Sequence, residues 1–188
     1  MTDSTRRRFL RRATTAAATA SLAGLAGCTG ALSERSEQTP TIDYTLPEAT
    51  ASAEVRMGPD ASNRFDPAIV RVETGGTVTW TNVSRNHSAT AYAPANDYSC
   101  RIPEGAESWD TGVFVENGKS SSHTFETPGV YDYYCTPHEP LGMVGTVVVG
   151  DPDPADQPGL QPPDDGRSDR AASKLEALNH RVRSGLKD

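Results

Sequence analysis

Short runs of alternating apolar and polar residues dominate residues 50–149 of the chain. The runs are rich in Val, Thr, Tyr and Phe and are separated by Gly, Pro and Asn, a pattern typical of strands joined by turns. The pattern predicts an all-β fold of seven or eight strands, arranged as a β-sandwich of two sheets with Greek-key connections. The predicted strands begin at Ala53, Ala68, Thr77, His87, Ser121, Val130 and Val144.

The remaining features of this region are a glycine pair and one long irregular segment. Gly75-Gly76 predicts a turn between two strands. We expect residues 94–119, which show no regular pattern, to wrap one side of the sandwich. Inward-facing apolar residues of the strands should fill the space between the sheets. For this core we expect Trp80, Phe125 and Val147.

The chain changes character after residue 150. Residues 151–166 are rich in Pro and Asp, which predicts a linker that packs no core. Residues 167–188 predict a short C-terminal helix, because apolar residues recur near one face. This helix either docks on its own domain or, given its basic excess, binds a partner or lies on a membrane. The apolar residues are Leu175, Leu178, Val182 and Leu186.

Residues 1–27 have the pattern of a targeting segment. The run Thr5–Arg11 (T-R-R-R-F-L-R) is a twin-arginine sequence, and the Ala- and Thr-rich stretch after it is too short to remain as a spanning helix. The leader ends in L-A-G-C at Cys28, which resembles the lipobox of prokaryotic lipoproteins. That resemblance implies cleavage before Cys28 and attachment of lipid to its sulfur. The alternative is a cysteine that merely lies near a cleavage site.

A lipid-bearing Cys28 sets the expected organisation and location of the mature protein. Residues 28–45 are polar and predict a tether, and residues 46–150 predict the folded domain. Two acyl chains on one cysteine give a stable anchor. We therefore expect a prokaryotic protein that is exported by a twin-arginine signal and anchored to the extracytoplasmic face of the cell membrane.

The charge of the chain narrows the class of partner. The formal net charge is −7, and removal of the basic leader would make it −11. An acidic protein disfavours nucleic acid and anionic lipid, and it suits a partner with a basic docking face. The same charge is typical of proteins adapted to high salt, where screening removes most long-range steering.

One tight loop carries the candidate chemistry. Cys135, His138 and Met143 lie within nine residues, in the segment Y-Y-C-T-P-H-E-P-L-G-M. A thiolate, an imidazole and a thioether are soft ligands, and a second imidazole would complete the His₂Cys set with a weak axial Met that is typical of blue-copper electron-transfer sites. Structural zinc sites usually have paired Cys or His ligands at short spacing, which this chain lacks.

The second imidazole has few candidates, because the chain contains four histidines. His87 follows a predicted strand and falls at the strand end, where a sandwich gathers its functional loops. We therefore predict His87 as the second imidazole. His123, inside a predicted strand, is expected on the solvent face, and His180 is expected at the surface of the C-terminal segment.

These residues together resemble the cupredoxins, the family of type 1 blue copper proteins, and in particular plastocyanin and the halocyanins. The resemblance rests on Phe65–Asn82, on His87 and on the Cys-x₂-His-x₄-Met loop, and it covers roughly residues 50–149. It implies a cupredoxin-like sandwich that holds one copper ion, which alternates between Cu(I) and Cu(II). The implied copper ligands are His87, Cys135, His138 and Met143.

The chain departs from the family pattern directly after the first histidine ligand. The family often has Asn there, and this Asn ties the two ligand loops together. Here the position is Ser88, so the Ser88 hydroxyl or Asn86 would have to make the link.

The resemblance implies an electron carrier and not an enzyme. Multicopper catalysis needs further histidines beside the cysteine, whereas Tyr134 and Thr136 flank Cys135. A copper carrier or storage protein is the alternative, since the same atoms would hold and release Cu(I). The third cysteine, Cys100, is left over as a free thiol or, less simply, as a disulfide partner of Cys135.

The resemblance also implies where electrons leave and enter. In cupredoxins the edge of the second histidine ligand meets the partner through an apolar patch, which here would be His138 with Pro140 and Leu141. Tyr134 is the candidate for a second exit on the cysteine side, with ordinary packing as its alternative. We expect redox proteins as donor and acceptor, the membrane as a partner through the lipid anchor, no nucleic acid, and a monomer.

Overall fold

The structure, a computed structural model, describes residues 44–187. The predicted leader, Cys28 and all of the tether up to residue 43 lie outside the described residues. Within 44–187 the chain forms seven strands and one α-helix. The strands are β1 (Thr50–Met57), β2 (Phe65–Asp66), β3 (Ile69–Asn82), β4 (Thr90–Ala91), β5 (Ser120–Phe125), β6 (Gly129–Tyr134) and β7 (Val144–Val149), and the helix is α1 (Asp169–Gly185).

The long strand β3 belongs to both layers of the sandwich. Its first part, Ile69–Val72, pairs in parallel with β7. Its second part, Thr77–Asn82, lies between β1 on one side and β5 on the other. The strand order β2-β1-β3-β7-β6-β4, with β5 on β3, confirms the predicted all-β architecture.

The predicted turn at Gly75-Gly76 is wrong, because β3 continues through it. From Val72 to Thr77 β3 advances five residues while the paired part of β1 advances two, so β3 carries extra residues at this point. Gly75 takes φ 81°, which an L side chain rarely adopts, and a Cβ at Gly76 would lie 2.7 Å from the Glu73 carbonyl oxygen. The glycines therefore let one strand bend from one sheet into the other.

Aromatic rings fill the space between the sheets. The three residues expected in the core, Trp80, Phe125 and Val147, are all buried. Trp109 comes from the irregular segment and stacks on Trp80 with ring centroids 5.4 Å apart. The segment therefore contributes to the core as well as covering it.

The C-terminal segment packs on the domain, so the prediction of a linker without a core is wrong. Two 3-10 turns, Pro154–Asp156 and Pro158–Leu160, fold it against the sandwich, and Leu160 is buried. Arg101 explains why this acidic, proline-rich stretch packs against the sandwich. Its guanidinium donates to the carbonyl oxygens of Gly159 and Gln161, the latter at 2.9 Å.

Helix α1 docks on the outer face of the same domain. Its N-terminus is capped by the Ser168 hydroxyl, which accepts a hydrogen bond from the Ala171 N–H. Leu175, Leu178 and Val182 are buried in one cluster with residues of β6 and β7. Between residues 44 and 187, no helix combines the length and the apolar character that a membrane-spanning segment requires.

Candidate metal centre

The loop after β6 is closed by its own backbone hydrogen bonds. The His138 and Glu139 N–H groups donate to the Cys135 carbonyl oxygen at 2.9 and 2.7 Å. The Met143 N–H donates to the His138 carbonyl, and the Cys135 N–H donates to the Met143 carbonyl. Gly142, at φ 82°, makes the left-handed reversal that the closure requires. The loop therefore presents all three predicted ligands from one rigid turn.

The second imidazole comes from the loop that follows β3. The expected strand at His87–Ala91 forms only at Thr90–Ala91, and His87 instead pairs with Phe114 through two backbone hydrogen bonds of 3.3 and 2.8 Å. Its ring is fully buried, and a Cβ at Gly58 would lie 2.2 Å from Nε2. Phe114 and Gly58 therefore fix His87 from two sides, which turns Nδ1 toward the cysteine.

The three candidate ligand atoms form a nearly equilateral triangle. The His87 Nδ1–Cys135 Sγ distance is 3.6 Å, His138 Nδ1–Cys135 Sγ is 3.4 Å, and the two Nδ1 atoms are 3.2 Å apart. A point equidistant from all three lies about 2.0 Å from each, close to the metal–nitrogen and metal–sulfur bond lengths of proteins. Met143, which supplies the thioether, is fully buried in the same core. Two imidazoles, a thiol and a thioether so arranged fit a type 1 copper ion.

Ser88 joins the two ligand loops. Its hydroxyl accepts from the Thr136 N–H at 2.8 Å and donates to Thr136 Oγ1 at 3.0 Å. Its own N–H points at Cys135 Sγ, 3.4 Å away. Of the two residues proposed to replace the family's Asn, the Ser88 hydroxyl is therefore the one that makes the link.

Burial sets the protonation of the candidate ligands in the metal-free protein. Burial, with smaller contributions from the charges of His138 and Arg85, lowers the pKa of His87 to about 4. Burial and then the Arg85 charge also lower the pKa of His138. Burial raises the pKa of the Cys135 thiol, although the N–H groups of Ser88 and His138 oppose the rise. At neutral pH both imidazoles are therefore neutral and able to bind a metal, while the thiol loses its proton when a metal binds.

The predicted exit patch is exposed, but the second exit is not. Pro140 lies at the surface and Leu141 is 48% exposed beside the half-buried His138. Tyr134, by contrast, is 5% exposed, and its ring packs 4.8 Å from that of Tyr98. Tyr134 therefore is not a surface residue, because the aromatic residues of the segment after β4 cover it.

Two exposed residues of this end escaped the sequence analysis. Val113 and Val115 are 47% and 69% exposed, and with Leu141 they are the large apolar side chains most exposed among residues 44–187. They flank Phe114, whose backbone pairs with His87, so they lie at the metal-binding end. The segment from 94 to 119 has no regular pattern, so the sequence analysis could not place these valines at the surface. Their position among polar residues was only a weak sign of exposure.

The other histidines and Cys100 lie apart from the centre. His123 was expected on the solvent face, which is wrong. Its ring stacks on Trp109 at 5.1 Å, and burial lowers its pKa. His180 is exposed on α1, and Cys100 is an exposed free thiol, not a disulfide partner of Cys135. Within the described part of the chain, His87, Cys135 and His138 form the one cluster of His, Cys, Asp or Glu residues suited to a metal.

The fold and the ligand cluster define a β-sandwich with a buried soft-metal site, and comparison with known proteins gives its family. Residues 53–150 match the family model of copper binding proteins of the plastocyanin/azurin family. The chain therefore belongs to this family, the cupredoxins, and copper is its metal.

Individual relatives agree with this assignment. The chain is similar to pseudoazurin of Methylorubrum extorquens, with 34% identity over 113 residues that cover 58% of this chain and 70% of the relative. It is also similar to halocyanin of Natronomonas pharaonis, with 33% identity, covering 57% of this chain and 63% of the relative. Among solved structures, pseudoazurin from Methylobacterium extorquens AM1 superposes with a TM-score of 0.55 at 27% identity, over 70% of this chain and 98% of that one.

Proposed function

We propose that this protein is a membrane-anchored electron carrier that shuttles single electrons between redox partners through one type 1 copper ion. His87, Cys135 and His138 would hold the ion, with Met143 as a weak axial ligand. The observation that carries the proposal is the triangle of Nδ1, Nδ1 and Sγ atoms, 3.2–3.6 Å on each side and buried in a rigid sandwich.

The protein supplies a fixed and dry environment for this chemistry. Bound copper would contribute the one-electron step, because His₂Cys with a distant Met suits both Cu(I) and Cu(II). His87 and Cys135 are held by backbone contacts and by Ser88, so the ligand positions resist change when the oxidation state changes. Full burial of Met143 and Cys135 keeps water from binding on that side. Little reorganisation favours rapid electron exchange over catalysis.

Electrons would pass through the edge of His138. It is the one half-exposed residue of the cluster, and Pro140 and Leu141 give it an apolar surrounding. An apolar patch allows close approach of a partner without the cost of desolvating charged groups. Tyr134 stays a candidate second route, although a partner would have to receive the electron through Tyr98, the neighbouring half-buried ring.

Lipid anchoring completes the proposal and is supported by the leader and the L-A-G-C sequence at Cys28. The anchor would keep the carrier at the extracytoplasmic face, next to membrane-bound donors and acceptors. Labelling of cells with a radioactive fatty acid tests it: wild type should carry label and sediment with membranes, and Cys28→Ser should do neither. An unlabelled wild type would remove the anchor from the proposal.

Spectroscopy with two cysteine variants tests the copper centre. We expect copper-loaded wild type to show an intense visible band from sulfur-to-copper charge transfer and a reversible one-electron wave in voltammetry. Cys135→Ser should lose the band, whereas Cys100→Ser, the matched change at the exposed free thiol, should keep it. Colourless, redox-silent copper protein that releases Cu(I) readily to a chelator would instead identify a copper carrier or storage protein.

A further inference from the structure

Most basic side chains of the described residues form ion pairs, cation–π contacts or hydrogen bonds with other residues. Five arginines pair with aspartates, Lys119 and Arg181 lie over aromatic rings, and Arg183 donates to a backbone carbonyl. Arg170 and Lys174 make no ion pair and no cation–π contact with any residue between 44 and 187. Both are exposed. The paired arginines are Arg56, Arg64, Arg71, Arg101 and Arg167.

These two cations lie beside the loop that carries His138. With Leu141 and Gly142 they line a surface groove of about 510 Å³ between the loop and the first turns of α1. The contact is close, because a Cβ at Gly142 would lie 3.1 Å from the Arg170 carbonyl oxygen. Asp169 lines the same groove, so the groove keeps a net positive charge of one.

A third cation borders the centre from the other ligand loop. Arg85 follows β3, is exposed, and its Nε donates to the Ala61 carbonyl, so its charge is not neutralised by a carboxylate of the described residues. It lies two residues before His87, in the same loop. The end of the sandwich that exposes His138 is thus flanked by basic groups in a protein whose net charge is −7.

We propose that Arg170 and Lys174, here named the basic flank, together with Leu141 form the docking surface for a redox protein whose contact face carries carboxylates around an apolar centre. This inference rests on the proposed electron-carrier function. The total charge alone predicts the opposite, a partner with a basic face. At physiological ionic strength, however, charges are screened over about 8 Å, so a partner that docks at the His138 loop meets the net positive charge of this groove more strongly than the acids elsewhere on the protein.

Electron transfer to a small anion tests the basic flank. One electron passes from the reduced copper protein to hexacyanoferrate(III), which becomes hexacyanoferrate(II). We compare wild type with Arg170→Glu/Lys174→Glu and with the control Arg181→Glu/Lys187→Glu, which changes the net charge equally. Arg181 lies about 16 Å farther along the helix axis than Arg170.

At about 0.1 M ionic strength we expect the flank variant to react roughly tenfold more slowly with hexacyanoferrate(III), and the control to change less than about twofold. Tris(phenanthroline)cobalt(III), a cationic oxidant, should show the reverse order. An unchanged visible band in both variants shows that the copper site is intact. Equal rates for the flank variant and the control would overturn the docking inference while leaving the carrier function in place.

Two further outcomes separate this inference from its alternatives. Wild type with no visible band and no reversible wave would overturn the proposed function and the docking surface together. Anionic lipid also attracts a basic and apolar surface. If the Cys28→Ser chain sediments with phosphatidylglycerol vesicles and the flank substitutions abolish this, the surface binds lipid, and the acidic partner protein is refuted.

Discussion

Removing the hydroxyl of Ser88 is the most direct test of how the two ligand loops are held together. Ser88→Ala removes two hydrogen bonds to Thr136, of 2.8 and 3.0 Å, at a fully buried position. Each such bond contributes about 0.5–1.5 kcal/mol net, so we expect the free energy of unfolding to fall by about 2 kcal/mol. The N–H of residue 88 remains, so its hydrogen bond to Cys135 Sγ and the visible band should persist.

Urea unfolding of the metal-free protein measures this loss as a lower midpoint at an unchanged m-value. Ser122→Ala is the matched control, because its hydroxyl shares one 2.8 Å bond with Thr79 on the exposed face of β5. We expect the control to change the free energy by less than about 0.5 kcal/mol. If Ser88→Ala is no less stable than Ser122→Ala, the hydroxyl does not tie the loops together and the reasoning from its geometry is refuted.

Three further predictions concern acid stability, a buried ion pair and the exit patch. The pKa of His87 is about 4 in the folded metal-free protein and near 6.5 in the unfolded chain. The free energy of unfolding should therefore fall by up to about 3 kcal/mol as the pH drops from 6.5 to 4. His87→Gln should remove this loss, measured by urea titrations across that pH range. Asp132→Asn should cost about 3–5 kcal/mol of unfolding free energy, because it leaves the buried Arg101 without its carboxylate at 2.9 Å. Leu141→Asp should slow electron self-exchange, measured by NMR line broadening, and leave the visible band intact.

Each of these predictions has a control at a solvent-exposed site. His180→Gln, a change at an exposed histidine, is the matched control for the urea titrations; a wild-type dependence of stability on pH in His87→Gln would contradict the assignment to His87. Asp151→Asn breaks the more exposed ion pair with Arg71 and should lower the free energy of unfolding by less than about 1 kcal/mol. If Asp132→Asn costs no more than this control, burial is not the cause of its effect. Ala51→Asp adds the same charge at an exposed position of β1; equal slowing there would remove the patch from the mechanism.

The ligand set was predictable because its information is local. Cys135, His138 and Met143 share one loop, and three residue types at fixed spacing specify a soft-metal site before any fold is known. The strands were predictable for a similar reason, since alternation of side chains along a strand reports which face is buried. His87 required one more step, and its position at the end of β3 supplied it.

Features that depend on distant segments were not predictable. Residues 151–166 carry no apolar periodicity, yet they pack because Arg101, some 60 positions earlier, donates to the carbonyl oxygens of Gly159 and Gln161. Tyr134, the candidate for a second exit, is covered by Tyr98, and His123 turns inward to stack on Trp109. In each case the deciding partner comes from a segment whose approach the local pattern does not encode.

The sequence by itself thus determined the all-β class and singled out the candidate copper ligands, and it predicts a lipid anchor at Cys28. Only the tertiary structure decided which hydroxyl joins the ligand loops, which large apolar residues are exposed, and that α1 brings Arg170 and Lys174 beside the His138 loop. The physical reason is the range of the interactions. Ligand spacing and strand alternation act over a few residues, whereas packing and electrostatic surfaces arise from segments that meet only after the chain has folded.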